Sequence, residues 1–160
     1  MAYIVDGNNV IGQTPGWHRD KPGARRRLLD SLAVFAQTKK SRITVAFDGA
    51  PEDWLPDGAV YRGVKVFYAR RGSNADDRIE KLVEISRDRR GITVVTSDRR
   101  LAIEVRALGA STIRSGEFRK LVEETIRSMP HPEDGEHSDV EDVASWMRYF
   151  GVSPADDEAR

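Results

Sequence analysis

Three short apolar segments, each followed within three residues by an aspartate, constrain the fold of this chain more than any other feature. The segments are residues 2–5, 43–47 and 92–95, and the aspartates are Asp6, Asp48 and Asp98. Brief segments that are apolar on both faces are typical of strands buried in a parallel sheet. Amphipathic helix patterns lie between them, and this alternation predicts a parallel sheet with helices on both faces. We therefore expect a three-layer α/β/α fold with the three aspartates at one edge of the sheet.

The rest of the chain is predicted to supply helices, outer strands and a C-terminal extension. The predicted helices cover residues 24–40, 99–108 and 115–128, with a fourth from about Asp76 to Gly91, and the predicted outer strands cover 60–69 and 111–114. Residues 7–23 are expected to form a turn and a loop, since this stretch is rich in glycine, proline and asparagine. A single domain is expected over residues 1–129. Residues 130–160 are expected to form a linker, a last helix and an acidic tail, packed on that domain or appended to it.

Composition narrows the class of protein. The chain has no cysteine, which excludes disulfides, thiolate metal sites and a cysteine nucleophile, and is compatible with a reducing compartment. The sequence also lacks a signal peptide pattern and an apolar run of the roughly 20 residues that a membrane helix needs. A cytoplasmic protein without a membrane partner is therefore expected.

The charge of the chain is balanced overall but unevenly distributed. Residues 130–160 contain nine of the 26 acidic residues and only two of the 26 basic ones. Residues 1–129 therefore carry a surplus of seven positive charges. A basic body favours a polyanionic partner, although solvated arginine-rich helices would give the same count.

The aspartates at the strand ends suggest a metal site. Asp76 and Asp77 begin a predicted helix that can lean over the same edge of the sheet. Carboxylates that gather at one place repel each other unless a cation or a shared proton compensates them. Mg²⁺ and Mn²⁺ prefer such oxygen ligands, and these ions promote phosphodiester hydrolysis. A single aspartate after a strand is more often a turn former or a helix cap, so the argument depends on several of them meeting.

Four segments together resemble a known family. In chain order they are residues 4–9 (Ile-Val-Asp-Gly-Asn-Asn), 45–49 (Val-Ala-Phe-Asp-Gly), 74–82 (Asn-Ala-Asp-Asp-Arg-Ile-Glu-Lys-Leu) and 95–98 (Val-Thr-Ser-Asp). The set is similar to the NYN domain of the YacP-like group, within the PIN-like nuclease superfamily, over roughly residues 1–127. The resemblance implies a PIN-like α/β/α fold with a mainly parallel sheet. It also implies a divalent-metal ribonuclease, in some members an endonuclease that acts on mRNA at the ribosome.

The resemblance also implies roles for individual residues. Asp6, Asp76 and Asp98 would hold Mg²⁺ or Mn²⁺, Asp48 would be a further ligand or would orient water, and Asn8 would be a hydrogen-bond donor beside Asp6. Asp77 is the alternative to Asp76 as a ligand. Four arginines flank the predicted site and are expected to bind RNA phosphates, with a solvated charge as the alternative for each: Arg70, Arg71, Arg99 and Arg100.

Two other functions remain as alternatives. A non-catalytic RNA- or ribosome-binding module could keep the same fold and use the basic body alone. A phosphatase of the haloacid dehalogenase kind also begins with a strand and an aspartate, but it needs a second aspartate two residues later for acid–base chemistry. Asn8 occupies that position, which argues against the phosphatase.

Overall fold

A computed structural model describes residues 1–13, 16–69 and 72–129 of the chain. The strands are β1 (Ala2–Asp6), β2 (Arg42–Phe47), β3 (Val60–Tyr61), β4 (Val64–Tyr68), β5 (Ile92–Val95) and β6 (Ser111–Ile113). The α-helices are α1 (Gly7–Ile11), α2 (Lys21–Lys39), α3 (Ala75–Ile85), α4 (Arg99–Ala107) and α5 (Ser115–Arg127). Short 3-10 helices lie at Trp17–Arg19 and Arg89–Gly91.

The six strands form one sheet in the order β3-β4-β2-β1-β5-β6. β1 is central and pairs in parallel with β2 and β5. β4 and β6 extend the parallel sheet outward, and β3 alone is antiparallel to its neighbour. The carboxyl ends of β1, β2 and β5 therefore lie at one edge, as the sequence predicted.

Helices cover both faces of the sheet and give it two hydrophobic cores. Because successive side chains of a strand point to opposite faces, Tyr3 and Val5 belong to one core and Ile4 to the other. The first core includes residues of α1, α2 and α5, among them Phe35 and Phe118, whose rings meet edge to face. The second includes residues of α3 and α4. The predicted three-layer α/β/α architecture is confirmed.

The predicted strand over residues 60–69 is in fact a hairpin. β3 and β4 are joined by Arg62 and Gly63, which have φ angles of 47° and 89°. Two consecutive residues with positive φ favour a tight turn between antiparallel strands. The turn was not predicted from the sequence because its first position is occupied by arginine, where asparagine or aspartate is usual.

The beginning of the chain is more helical than expected. Residues 7–11 form α1 rather than a turn. α2 begins at Lys21, three residues before the predicted start, because Pro22 fits the first turn and the Asp20 side chain caps the helix by accepting from the Gly23 amide. The helix predicted to end at Gly91 stops at Ile85 instead.

The C-terminal prediction lies outside the described residues, which end at Met129. The linker, last helix and acidic tail predicted for residues 130–160 therefore stay predictions. No helix in the described ranges is both long enough and apolar enough to cross a membrane.

Candidate active site

Four of the predicted aspartates approach each other at the carboxyl edge of the sheet. Asp6 ends β1, Asp48 directly follows β2, Asp98 precedes α4, and Asp76 lies in the first turn of α3. The negative charges of Asp76 and Asp48 raise the pKa of Asp6. Those of Asp98 and Asp48 raise the pKa of Asp76. We call these four residues the aspartate cluster.

Asp6 is the buried member of the cluster, with 4% of its surface exposed. Burial raises the pKa of its carboxyl from 3.8 to about 7, and the charges of Asp76 and Asp48 add to that effect. The Thr96 hydroxyl, which donates to Asp6 Oδ2 over 3.1 Å, and the Asn9 amide act in the opposite direction. Asp6 is thus only partly ionised near neutral pH, because the protein alone does not compensate its charge.

Asp76 and Asp98 interact as a pair with opposite pKa shifts. Burial and then the neighbouring Asp98 raise the pKa of Asp76 to about 6. The pKa of Asp98 is lowered, mainly by the Leu101 amide. Asp98 Oδ1 accepts from the amides of Arg100 and Leu101 at 2.9 and 3.2 Å, so Asp98 is both the N-cap of α4 and the member of the pair that holds its negative charge.

Asp48 connects the aspartate cluster to two helices. Its Oδ1 accepts from the Ala75 amide at 2.7 Å, at the start of the helix that carries Asp76. Its own amide donates to Asn8 Oδ1 over 2.9 Å. The sequence predicted Asn8 as a donor beside Asp6, whereas in the structure its side-chain oxygen is an acceptor that fixes the backbone at Asp48.

Asn9 is a site residue that the sequence reasoning missed. Its Oδ1 accepts from the Ser97 amide at 2.9 Å and from the Ser115 hydroxyl at 2.5 Å. The Ser115 amide in turn donates to Ser97 Oγ over 3.1 Å. One side chain thereby joins α1, the segment before Asp98 and the start of α5. The only signal in the sequence was a second asparagine next to Asn8.

We expect Asn9→Ala to lower the free energy of unfolding by about 1–2 kcal/mol, because it leaves two donors without their acceptor. Urea denaturation measures this loss. Gln37→Ala removes an exposed amide side chain from α2 and is expected to change stability by less than about 0.5 kcal/mol; equal losses in the two variants would contradict the assignment.

The remaining predicted residues lie around the aspartate cluster or outside the described ranges. Asp77 is exposed and raises the pKa of Asp76 less than Asp98 and Asp48 do. Arg100 is exposed and forms an ion pair with Glu104, with 3.0 Å between Nε and Oε1. Arg99 lines a cleft beside Asp98. Arg70 and Arg71 are outside the described residues.

The aspartate cluster has the donor chemistry of a hydrated divalent cation site. Within the described ranges, no three histidine, aspartate or glutamate side chains are arranged as ligands of a single ion. Mg²⁺, however, is usually held by one or two carboxylates and keeps several waters. Burial is the main cause of the raised pKa values of Asp6 and Asp76, and neighbouring negative charge adds to it; a cation would relieve that added repulsion. The residues therefore fit an ion bound directly by one or two of them rather than one enclosed by three.

The chain belongs to the family of YacP-like NYN domains, whose model matches residues 3–145. The family lies within the PIN-like nuclease superfamily.

Individual relatives come from Bacillus subtilis. The chain is 31% identical to the protein described as uncharacterized protein YacP over 100 residues, which is 59% of each chain, so the match spans less than two thirds of that relative. Crystal structures of Rae1 (YacP) share the fold. A point mutant has a TM-score of 0.66 and 24% identity over 99% of both chains. A second Rae1 structure has a TM-score of 0.65 and 24% identity, over 99% of this chain and 90% of the other.

Proposed function

We propose that this protein is a divalent-metal-dependent ribonuclease that hydrolyses RNA phosphodiester bonds at the aspartate cluster, most simply as an endonuclease. The observation that carries the proposal is the burial of Asp6 among other carboxylates, which raises its pKa to about 7. Strongly shifted acids at a strand edge are a feature of functional sites. Membership of a PIN-like nuclease family supports RNA as the substrate class.

The proposed roles follow the geometry of the aspartate cluster. Asp6, Asp76 and Asp98 would together hold hydrated Mg²⁺ or Mn²⁺, one or two of them directly and the rest through bound water, with Asp77 as the alternative to Asp76. Asp48 would be a further ligand or would orient a water, and Asn8 would keep Asp48 in place. When bound, the cation supplies positive charge to the phosphodiester under attack and makes a water molecule more acidic. The protein would act in the cytoplasm on mRNA, including mRNA on the ribosome, as the resemblance implies.

Removal of divalent metal is expected to abolish cleavage. A labelled single-stranded RNA incubated with the protein should be cut in Mn²⁺ or Mg²⁺ and stay intact in EDTA.

Both ions should also raise the melting temperature of the protein, and they should raise it more at about pH 8 than at about pH 5. The reason is that protons occupy Asp6 and Asp76 below their raised pKa values of about 7 and about 6. Thermal denaturation at the two pH values measures the difference. An equal gain at both would argue against these two carboxylates as ligands.

The second candidate is a non-catalytic RNA- or ribosome-binding module. The finding in its favour is the surplus of seven positive charges over residues 1–129, which would attract a polyanion without any metal. Such a module would retain RNA equally well with and without EDTA and would leave the strand intact in every metal. Gel mobility and RNA integrity, measured on the same samples, separate the two candidates.

A further inference from the structure

Charge around the aspartate cluster is distributed asymmetrically. On the side of α3 and α4, Glu80 and Glu104 lie close enough to shift each other's pKa, Glu80 upward and Glu104 downward. Arg100, which was predicted to bind RNA, is paired there with Glu104. A polyanion that reaches the cluster would be repelled on this side.

The opposite side of the aspartate cluster opens into a cleft between α4, β6 and the start of α5. The cleft has a volume of about 510 Å³ and begins at residues 96–98, the segment that contains Asp98. Three arginines line it: Arg99, Arg106 and Arg114. The acidic lining residues are Asp98 and Glu117, so the three arginines outnumber the two carboxylates and the lining carries a net charge of +1.

The arginines of the cleft are available to a ligand. None of the three forms an ion pair with a carboxylate in the described part of the chain. Arg106 donates from Nε to Thr112 Oγ1 over 3.1 Å, which holds the guanidinium plane and leaves its two terminal nitrogens to donate elsewhere. By contrast, Arg25 and Arg78 are each paired with a carboxylate.

We propose that Arg99, Arg106 and Arg114 form a phosphate-binding surface for the RNA strand that leads away from the aspartate cluster. This inference rests on the proposed function, because the cleft has this meaning only if RNA is cut at the cluster. Arginine binds phosphate oxygens through paired donors without reading the bases. The surface would position a single strand in the cleft, with the scissile phosphate at Asp98 and the following phosphates along α4.

The test is a binding measurement that does not depend on cleavage. A short fluorescein-labelled oligouridine is titrated in EDTA with wild type, Arg106→Ala, Arg114→Ala and the double variant, and fluorescence anisotropy gives Kd over a range of salt. Each single variant is expected to raise Kd about 5- to 10-fold and to reduce the slope of log K against log salt by about 0.7, as for one lost phosphate contact on a single strand. Arg114 is exposed, so its variant remains informative if Arg106→Ala unfolds.

Arg42→Ala and Arg90→Ala are the matched controls, because both residues are exposed and lie at the amino-terminal ends of β2 and β5, on the opposite edge of the sheet. They should leave Kd and the salt slope within about two-fold of wild type, as expected for charges distant from the bound strand. Equal losses in cleft and control variants, or unchanged binding in the double variant, would overturn the inference even if wild type cleaves RNA. The expected losses in a protein that never cleaves RNA would instead support the cleft and reject the ribonuclease.

Discussion

Replacing Asp6 with asparagine is expected to abolish RNA cleavage and, at the same time, to stabilise the metal-free protein. Cleavage should fall by about 100- to 1,000-fold, the loss expected when several kcal/mol of charge stabilisation by a bound metal disappears. Stability should rise because asparagine removes a buried charge whose ionisation is unfavourable. Its side-chain oxygen can still accept from Thr96, as Asp6 does.

The pH dependence of this effect has a definite sign. The pKa of Asp6 is about 7 in the folded state against the ordinary 3.8, so the folded state binds the proton more tightly. Below about pH 4 Asp6 is protonated in both the folded and the unfolded state, so its ionisation does not lower the stability of the wild type relative to Asp6→Asn. The disadvantage of the wild type grows as pH rises from about 4 to the folded pKa of about 7, and above that pH the advantage of asparagine levels off at no more than about 4 kcal/mol.

Urea denaturation in EDTA, at about pH 8 and about pH 5, measures the gain. Asp53→Asn neutralises an exposed loop carboxylate and should change neither stability nor cleavage by a measurable amount. Addition of Mn²⁺ should stabilise wild type and leave Asp6→Asn almost unchanged. An Asp6→Asn protein that cleaves RNA at the wild-type rate would reject the site, and one that loses stability at about pH 8 would reject the account of the buried charge.

The parts of the fold that the sequence predicted are those determined by local pattern and parallel topology. β5 lies where the apolar run at residues 92–95 placed it, because a short β-branched run that follows a glycine is typical of a strand buried on both faces. The approach of Asp6, Asp48 and Asp98 followed from topology alone, since parallel strands bring their carboxyl ends to one edge.

The parts that the sequence did not predict depend on tertiary contacts. Asn9 accepts from Ser97 and Ser115, which are 88 and 106 residues away from it in sequence, and no local pattern encodes such partners. Arg100 was expected to bind RNA, but it lies one helical turn before Glu104 and pairs with it. Arg106 and Arg114 escaped notice because their positions beside Asp98 arise only when β6 is added to the sheet edge.

Replacing Gly7 with alanine is expected to destabilise the protein by about 2 kcal/mol or more, as overpacking of a buried site does. A Cβ at this position would lie 2.5 Å from two ring carbons of Phe47 and 3.0 Å from Val45 Cγ2. The Phe47 ring cannot easily retreat, since it is fully buried and packs against both the Tyr68 ring and the Arg25 guanidinium. The overlap between the new Cβ and the ring must therefore be relieved by a shift of α1, the helix that begins at Gly7.

Movement of α1 would also disturb the aspartate cluster, because α1 carries Asn8 and Asn9. Gly7→Ala should consequently lower RNA cleavage at temperatures where the variant is still folded.

Gly116→Ala is the control for this variant. It also places alanine in the first turn of a helix, but its Cβ would meet no atom closer than 3.8 Å. This control should be neutral or gain up to about 1 kcal/mol from helix propensity. Urea denaturation and a single-turnover cleavage assay on both variants test the argument, and a Gly7→Ala protein as stable and active as the control would show that the contact between α1 and Phe47 is not tight.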